Sequence, residues 1–141
     1  MERKNTDQLQ QELMTGNDLD RVLADNDSSF QGYALQERLQ TLFQRREISK
    51  TALARLSGIS EVYLHQVFSG RRTPSRNRLL CLCFGLGASV EEAQELLRHA
   101  RLAPLYSRDR RDAIVIFCLS HGMTLDEVND KLYAEDANTL C

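Results

Sequence analysis

Two short apolar stripes separated by a single glycine constrain this chain more than any other feature. In residues 49–74, Leu53, Ala54 and Leu56 form an apolar face that Gly58 interrupts, and a second helical pattern carrying Leu64 and Val67 restarts at Ser60 and ends at Gly70. Ser49 and Ser60 each stand just ahead of a run, where a hydroxyl can accept from a backbone N–H that the helix leaves unpaired. The flanking segments are organised around this corner.

Upstream, Leu35, Leu39, Leu42 and Phe43 follow helical spacing, with Glu37, Arg38, Gln44 and Arg45 on the opposite face. Downstream, Pro74 bars helix continuation and Ser75 caps a fourth helix through Leu79, Leu80, Leu82, Cys83 and Leu86, read as stopping at Gly85 and Gly87. Ser89 and Glu92 then form a capping box for a fifth helix through Ala93, Leu96, Leu97 and Ala100. The result is an all-α core of five helices over residues 34–103.

Beyond Pro104 the pattern recurs. Arg76, Asn77, Cys83, Gly87 and the box at Ser89 and Glu92 align with Arg111, Asp112, Cys118, Gly122 and a second box at Thr124 and Glu127, 35 positions on. Residues 104–141 are therefore expected to form a helical hairpin, a diverged copy packed on the core. Its segment 113–119 is apolar on every side and reads as buried. Residues 1–33 are acidic and polar, with Leu9, Leu13 and Met14, then Leu19, Val22 and Leu23, spaced for two short helices broken at Gly16 and Asn17. A loop is expected over 26–29.

A hydrophobic share of 42% and a charged share of 27% describe an ordinary soluble domain. No apolar run approaches the roughly 20 residues that span a bilayer, and the first residues lack an apolar signal region, so a cytoplasmic protein without a membrane partner is expected. Charge is unevenly placed: residues 34–78 carry +6, against −4 in residues 1–33 and −4 in residues 79–141. A locally basic segment in an acidic chain points to a polyanion partner. The cysteines form no Cys-x-x-Cys pair and read as reduced core thiols, so no metal and no cofactor are expected. His65, His99 and His121 lie on different helices without a nucleophile or paired carboxylate, so no enzyme is expected. The cluster at 108–112 reads as charges that pair locally.

Two short helices about a glycine turn are the helix-turn-helix pattern. The residues around it resemble the Xre, or lambda-repressor-like, regulators that include Cro: Lys50 and Thr51 before Ala52, Leu53 and Ala54; Gly58, Ile59 and Ser60 at the turn; Leu64 and Val67; then Gly70, Arg71, Arg72 and Pro74. The likeness continues through Leu79, Leu80, Leu86, Gly87, Ala88, Ser89 and Leu96, covering about residues 34–100.

This resemblance implies a sequence-specific DNA-binding regulator, of repressor type, whose third helix, about residues 60–69, enters the major groove of double-stranded DNA. It implies that Glu61, Val62, His65 and Gln66 face bases and that Lys50, Ser60, Ser69, Arg71 and Arg72 contact phosphate. Gln66 suits bidentate pairing with adenine. It further implies a homodimer, for which Ile114, Ile116 and Phe117 are the candidate contact. Where family members commonly carry Glu two residues before the glycine that closes the third helix, this chain has Phe68. With Glu61, Val62 and Tyr63, that departure supports a second reading: an adaptor that binds protein through the apolar recognition surface or the acidic arm.

Overall fold

The computed structural model describes residues 6–25 and 31–141, and among these it contains helices and no strand. In chain order they are α1 Thr6–Thr15, α2 Leu19–Asp25, α3 Gln31–Arg46, α4 Lys50–Leu56, α5 Glu61–Ser69, α6 Arg76–Leu86, α7 Val90–His99, α8 Arg110–Ser120 and α9 Leu125–Ala134. The loop expected over 26–29 lies outside the described residues.

From α4 onward every helix starts at a side-chain oxygen. Ser49, Ser60, Ser75, Ser89, Asp109 and Thr124 sit in extended conformation, and each accepts from the backbone N–H three residues on. Each such cap stabilises its helix by about 1 kcal/mol. Five of them were legible as caps. Asp109 was hidden inside the charged cluster.

One continuous core joins α3 to α9. Leu35, Leu39 and Leu42 of α3, Leu53 of α4, Leu64 and Val67 of α5 and the whole apolar run of α6 share it with Val115, Cys118 and Leu119 of α8 and Leu125, Val128 and Leu132 of α9. The corner between α4 and α5 needs Gly58, whose φ of +62° is strained for a side-chain-bearing residue. Leu125 packs beneath that turn, so the C-terminal hairpin supports the corner from below.

Gly85 corrects the sequence reading. It lies inside α6, which runs on to Leu86 and is capped by Gly87. A Cβ at Gly85 would lie 2.0 Å from Ser57 Oγ, so the missing side chain lets α4 and α6 cross closely.

The 35-residue repeat extends into the hydrogen bonds. Arg76 donates to the carbonyls of Ala103 and Pro104 at 3.0 and 3.1 Å; its counterpart Arg111 donates to Asn138 and Thr139 at 2.7 and 3.2 Å. Gln94 clasps Leu105 through both its amide atoms, and Asn129, 35 positions on, accepts from Leu140 N at 2.8 Å. Contacts then cross between the hairpins, from Arg76 to Asp112 at 2.9 and 3.1 Å and from Arg111 to Asn77 at 2.9 Å. The charges at 108–112 therefore do not pair locally. Arg110 reaches Glu135, and Asp112 is buried beneath Arg76, because the turn before α8 faces the start of α6 and the end of α9.

Three of the four free cysteines, Cys81, Cys83 and Cys118, are core thiols as expected. Burial pushes the Cys81 and Cys83 thiols up to about 12, with Cys141 adding to the shift at Cys81. Cys141 departs from the expectation: it is exposed and accepts from Asn129 Nδ2 at 3.1 Å.

The segment 113–119 is also not buried on every side. Val115, Cys118 and Leu119 point into the core, Ile114 and Ile116 are partly covered, and Phe117 is 49% exposed. Among the described helices, α9 and α7 pack on α8, and they leave its Phe117 face open.

Candidate nucleic-acid interface

The 3.6-residue period of α5 divides its side chains cleanly. Tyr63, Leu64 and Val67 are buried, whereas Glu61, Val62, His65 and Ser69 are exposed and Gln66 is half-buried. All four expected base-facing residues thus share one outward surface. Val62 is 67% exposed. Glu61 lies in the first turn, where the partial positive charge of the helix end offsets its carboxylate.

Beside this surface runs an open groove of about 510 Å³ lined by Gln40, Lys50, Val62, His65, Gln66, Phe68, Ser69 and Arg71. Lys50, the first residue of α4, holds its ammonium 4.4 Å from the Phe68 ring centre and 5.6 Å from that of Phe43. The two rings meet edge to face at 5.6 Å. Phe68 is therefore half-buried in a cradle that attracts the cation without neutralising it. A carboxylate in its place would cancel the charge.

On the other flank, Arg72 and Arg78 lie 5.2 and 4.5 Å from the Tyr63 ring centre. Arg71 and Arg72 take their positions from the end of α5, where both backbone N–H groups donate to the Gln66 carbonyl at 2.9 and 3.2 Å. Ser60 Oγ accepts from Tyr63 N at 3.1 Å and keeps its hydroxyl proton for another acceptor. Ser69 donates its own to the Gln66 carbonyl at 3.2 Å.

Two readings of this surface need correction. Tyr63 is 8% exposed and belongs to the core, because it shares its helix face with Val67 four residues on. It offers no docking surface, and with Phe68 half-buried the apolar patch reduces to Val62. Of the nine basic residues in 34–78, three are occupied elsewhere: Arg38 with Glu95 at 2.7 Å, Arg45 with Glu92 at 2.5 Å and Arg76 with Asp112 at 2.9 Å. Six cations, Arg46, Lys50, Arg55, Arg71, Arg72 and Arg78, remain without a carboxylate partner among the described residues, against three Glu in the same stretch.

Gln40 and Arg78 were not singled out as site residues, although both border α5. Gln40 lies on the polar face of α3, and nothing in its local sequence says which helix passes it. Of the candidate dimer residues, Ile114 and Phe117 line one groove between α8 and α9 and Ile116 does not, while Ile114 and Ile116 are both packed against the core. Among the described residues no cluster of His, Cys, Asp or Glu could hold a metal ion, and no helix is long and apolar enough to cross a membrane.

Helices α3–α7, with the glycine corner between a supporting α4 and an outward-facing α5, define a helix-turn-helix domain. Residues 34–96 match the family model described as a helix-turn-helix domain, which is consistent with the Xre and Cro type of regulator. No curated protein and no solved structure matches the chain.

Proposed function

We propose that this chain is a sequence-specific, DNA-binding transcriptional regulator of the cytoplasm that acts by occupying an operator as a homodimer, with residues 34–103 as its DNA-reading unit. The observation that carries the proposal is the outward face of α5, flanked by cations that no carboxylate neutralises among the described residues. A helix with its side chains is 10–12 Å across and the major groove is about 12 Å wide, so α5 enters with Glu61, Val62, His65 and Gln66 towards base edges. Lys50, Ser60, Arg71 and Arg72 then meet phosphate on either side, and Ser69 does so on releasing the Gln66 carbonyl. These contacts set register, while Gln66 reads sequence.

An unbiased selection from random duplexes with the full chain should enrich one motif. Arg71→Ala with Arg72→Ala should weaken binding to all sequences alike and flatten the salt dependence by a slope of about 2, since each phosphate contact contributes about 0.9. Gln66→Ala should relax preference at one base pair with little change in slope. No enriched motif, together with an unchanged slope, would sink the proposal. The adaptor reading rests on the exposure of Val62; a protein partner lost on Val62→Asp, from a chain that shifts no DNA, would favour it.

A further inference from the structure

The 35-residue repeat separates the cysteines into two kinds. Cys83 and Cys118 are equivalent positions of α6 and α8 and both are buried, so the core of each hairpin accounts for them. Cys81 and Cys141 have Ile116 and Tyr106 as their counterparts, so packing does not call for sulfur at either place. The fold nevertheless brings these two thiols together. Beyond α9 the chain reaches back to α6: Arg111 holds the carbonyls of Asn138 and Thr139, Asn129 accepts from Leu140 N, and Leu140 is buried. The Cys81 thiol donates to the Leu140 carbonyl at 3.7 Å, and the thiol of the next residue, Cys141, lies within hydrogen-bonding reach of it. Cys141 is itself held in place, with Asn129 Nδ2 donating to its sulfur at 3.1 Å and the Thr139 hydroxyl donating to its carbonyl at 2.8 Å.

The two thiols differ in access. Cys141 is exposed, whereas Cys81 is fully buried, and burial keeps it protonated. An oxidant arriving from solution therefore meets Cys141 first. We propose that Cys141 and Cys81 form a peroxide-sensitive pair, closing to a disulfide that fastens residues 138–141 to α6 beneath the corner between α4 and α5. The Cys141 thiolate attacks one oxygen of hydrogen peroxide, the O–O bond breaks, and the sulfur becomes a sulfenic acid as hydroxide leaves to take up the thiol proton. The Cys81 sulfur then attacks that sulfenic sulfur, and the expelled hydroxyl departs as water with the Cys81 proton. Two thiols are oxidised to one disulfide, and one peroxide is reduced to two waters. The contact between the thiols compensates for the weak nucleophilicity of a protonated Cys81, since its target is already in place. In reducing compartments such disulfides are transient and redox-sensing. The Cys141 sulfur lies 3.6 Å from where a Cβ of Gly58 would stand, so the link forms directly under the turn that leads into α5.

The test exposes the fully reduced full-length chain to equimolar hydrogen peroxide, alkylates the remaining thiols in denaturant and maps the peptides by mass spectrometry; it involves no DNA. The wild type should yield a Cys81–Cys141 link within one chain, two hydrogens lighter than the reduced peptides and reversed by dithiothreitol. Closing the long loop between these residues should raise Tm by at least about 5 °C. Cys141→Ser, at an exposed position, should abolish both the link and the shift with little change in the Tm of the reduced chain. Cys118→Ala should lower that Tm and retain both. A chain whose thiols all remain open to alkylation would overturn the proposal, as would Cys141 driven to sulfinic acid while Cys81 stays free. So would a link between two chains, a link from Cys141 to Cys83 or Cys118, or a Cys81–Cys141 link that leaves Tm where it was.

Discussion

Replacing Arg76 with Met keeps most of the apolar stem and strips a guanidinium from four acceptors: both Asp112 oxygens and the carbonyls of Ala103 and Pro104. Asp112 is 6% exposed and would retain one donor, the Tyr106 N–H at 3.0 Å. Breaking a buried ion pair from one side typically costs about 3–5 kcal/mol, because the abandoned charge stays desolvated. Proton uptake by Asp112 limits that cost, so a loss of about 3 kcal/mol at pH 7 is expected, or roughly 10 °C in Tm for a chain of this size. Urea unfolding followed by circular dichroism measures it. Arg76→Met with Asp112→Leu should recover more than half, since both charges are then gone. In the wild type, burial raises the Asp112 pKa, but the Arg76 hydrogen bonds, the Tyr106 N–H and the charges of Arg76 and Arg111 outweigh it and hold the carboxyl below its ordinary value. Stability from such a depressed group is complete above the unfolded value near 3.9 and disappears as pH falls through the folded one. The gap between wild type and Arg76→Met should therefore close below about pH 4. A loss under about 1 kcal/mol, a gap that widens on acidification, or a double variant less stable than the single one would each refute the reasoning.

The crossing of α4 and α6 gives a second prediction. Gly85→Ala would set a Cβ 2.0 Å from Ser57 Oγ and should cost about 1–3 kcal/mol by overpacking. Ser57→Ala should be neutral or stabilising by about 1 kcal/mol, because that buried hydroxyl has no hydrogen-bond partner among the described residues; thermal melts in which it destabilises would contradict this. At the contact between α3 and α7, the Arg45 hydrogen bond outweighs burial and, with the Ser89 N–H, brings the Glu92 carboxyl down to about 2. That contribution should be intact above about pH 4.5 and fade towards pH 2, and Arg45→Ala should return the Glu92 midpoint, read by carboxyl NMR, to near 4. An unmoved midpoint would count against the pair.

What was legible in the sequence was written in neighbouring residues. A cap needs a side-chain oxygen three residues before an N–H, and a left-handed turn needs a glycine, so Ser49, Gly58, Ser60 and the paired capping boxes announced their helices without any tertiary knowledge. The outward face of α5 followed from the same period. Tyr63 was legible too, since it shares the phase of Val67; its aromatic ring drew attention to the surface although the helix turns it inward.

Distant pairing was not legible. Arg45 and Arg76 look like the other basic residues of their stretch, and only the fold places Glu92 and Asp112 against them, 47 and 36 positions away. Those contacts decide which cations remain to meet a polyanion. Gly85 has the composition of a helix stop, yet serves a helix crossing because Ser57 passes over it. The second hairpin shows the division most clearly. Its sequence determined an apolar α8 and an α9 capped at Thr124, since periodicity and capping are local. Whether Ile114 and Phe117 would be covered depended on how many elements the chain could bring to that face, and the tertiary structure supplies α3 to the first copy and no described helix to the second.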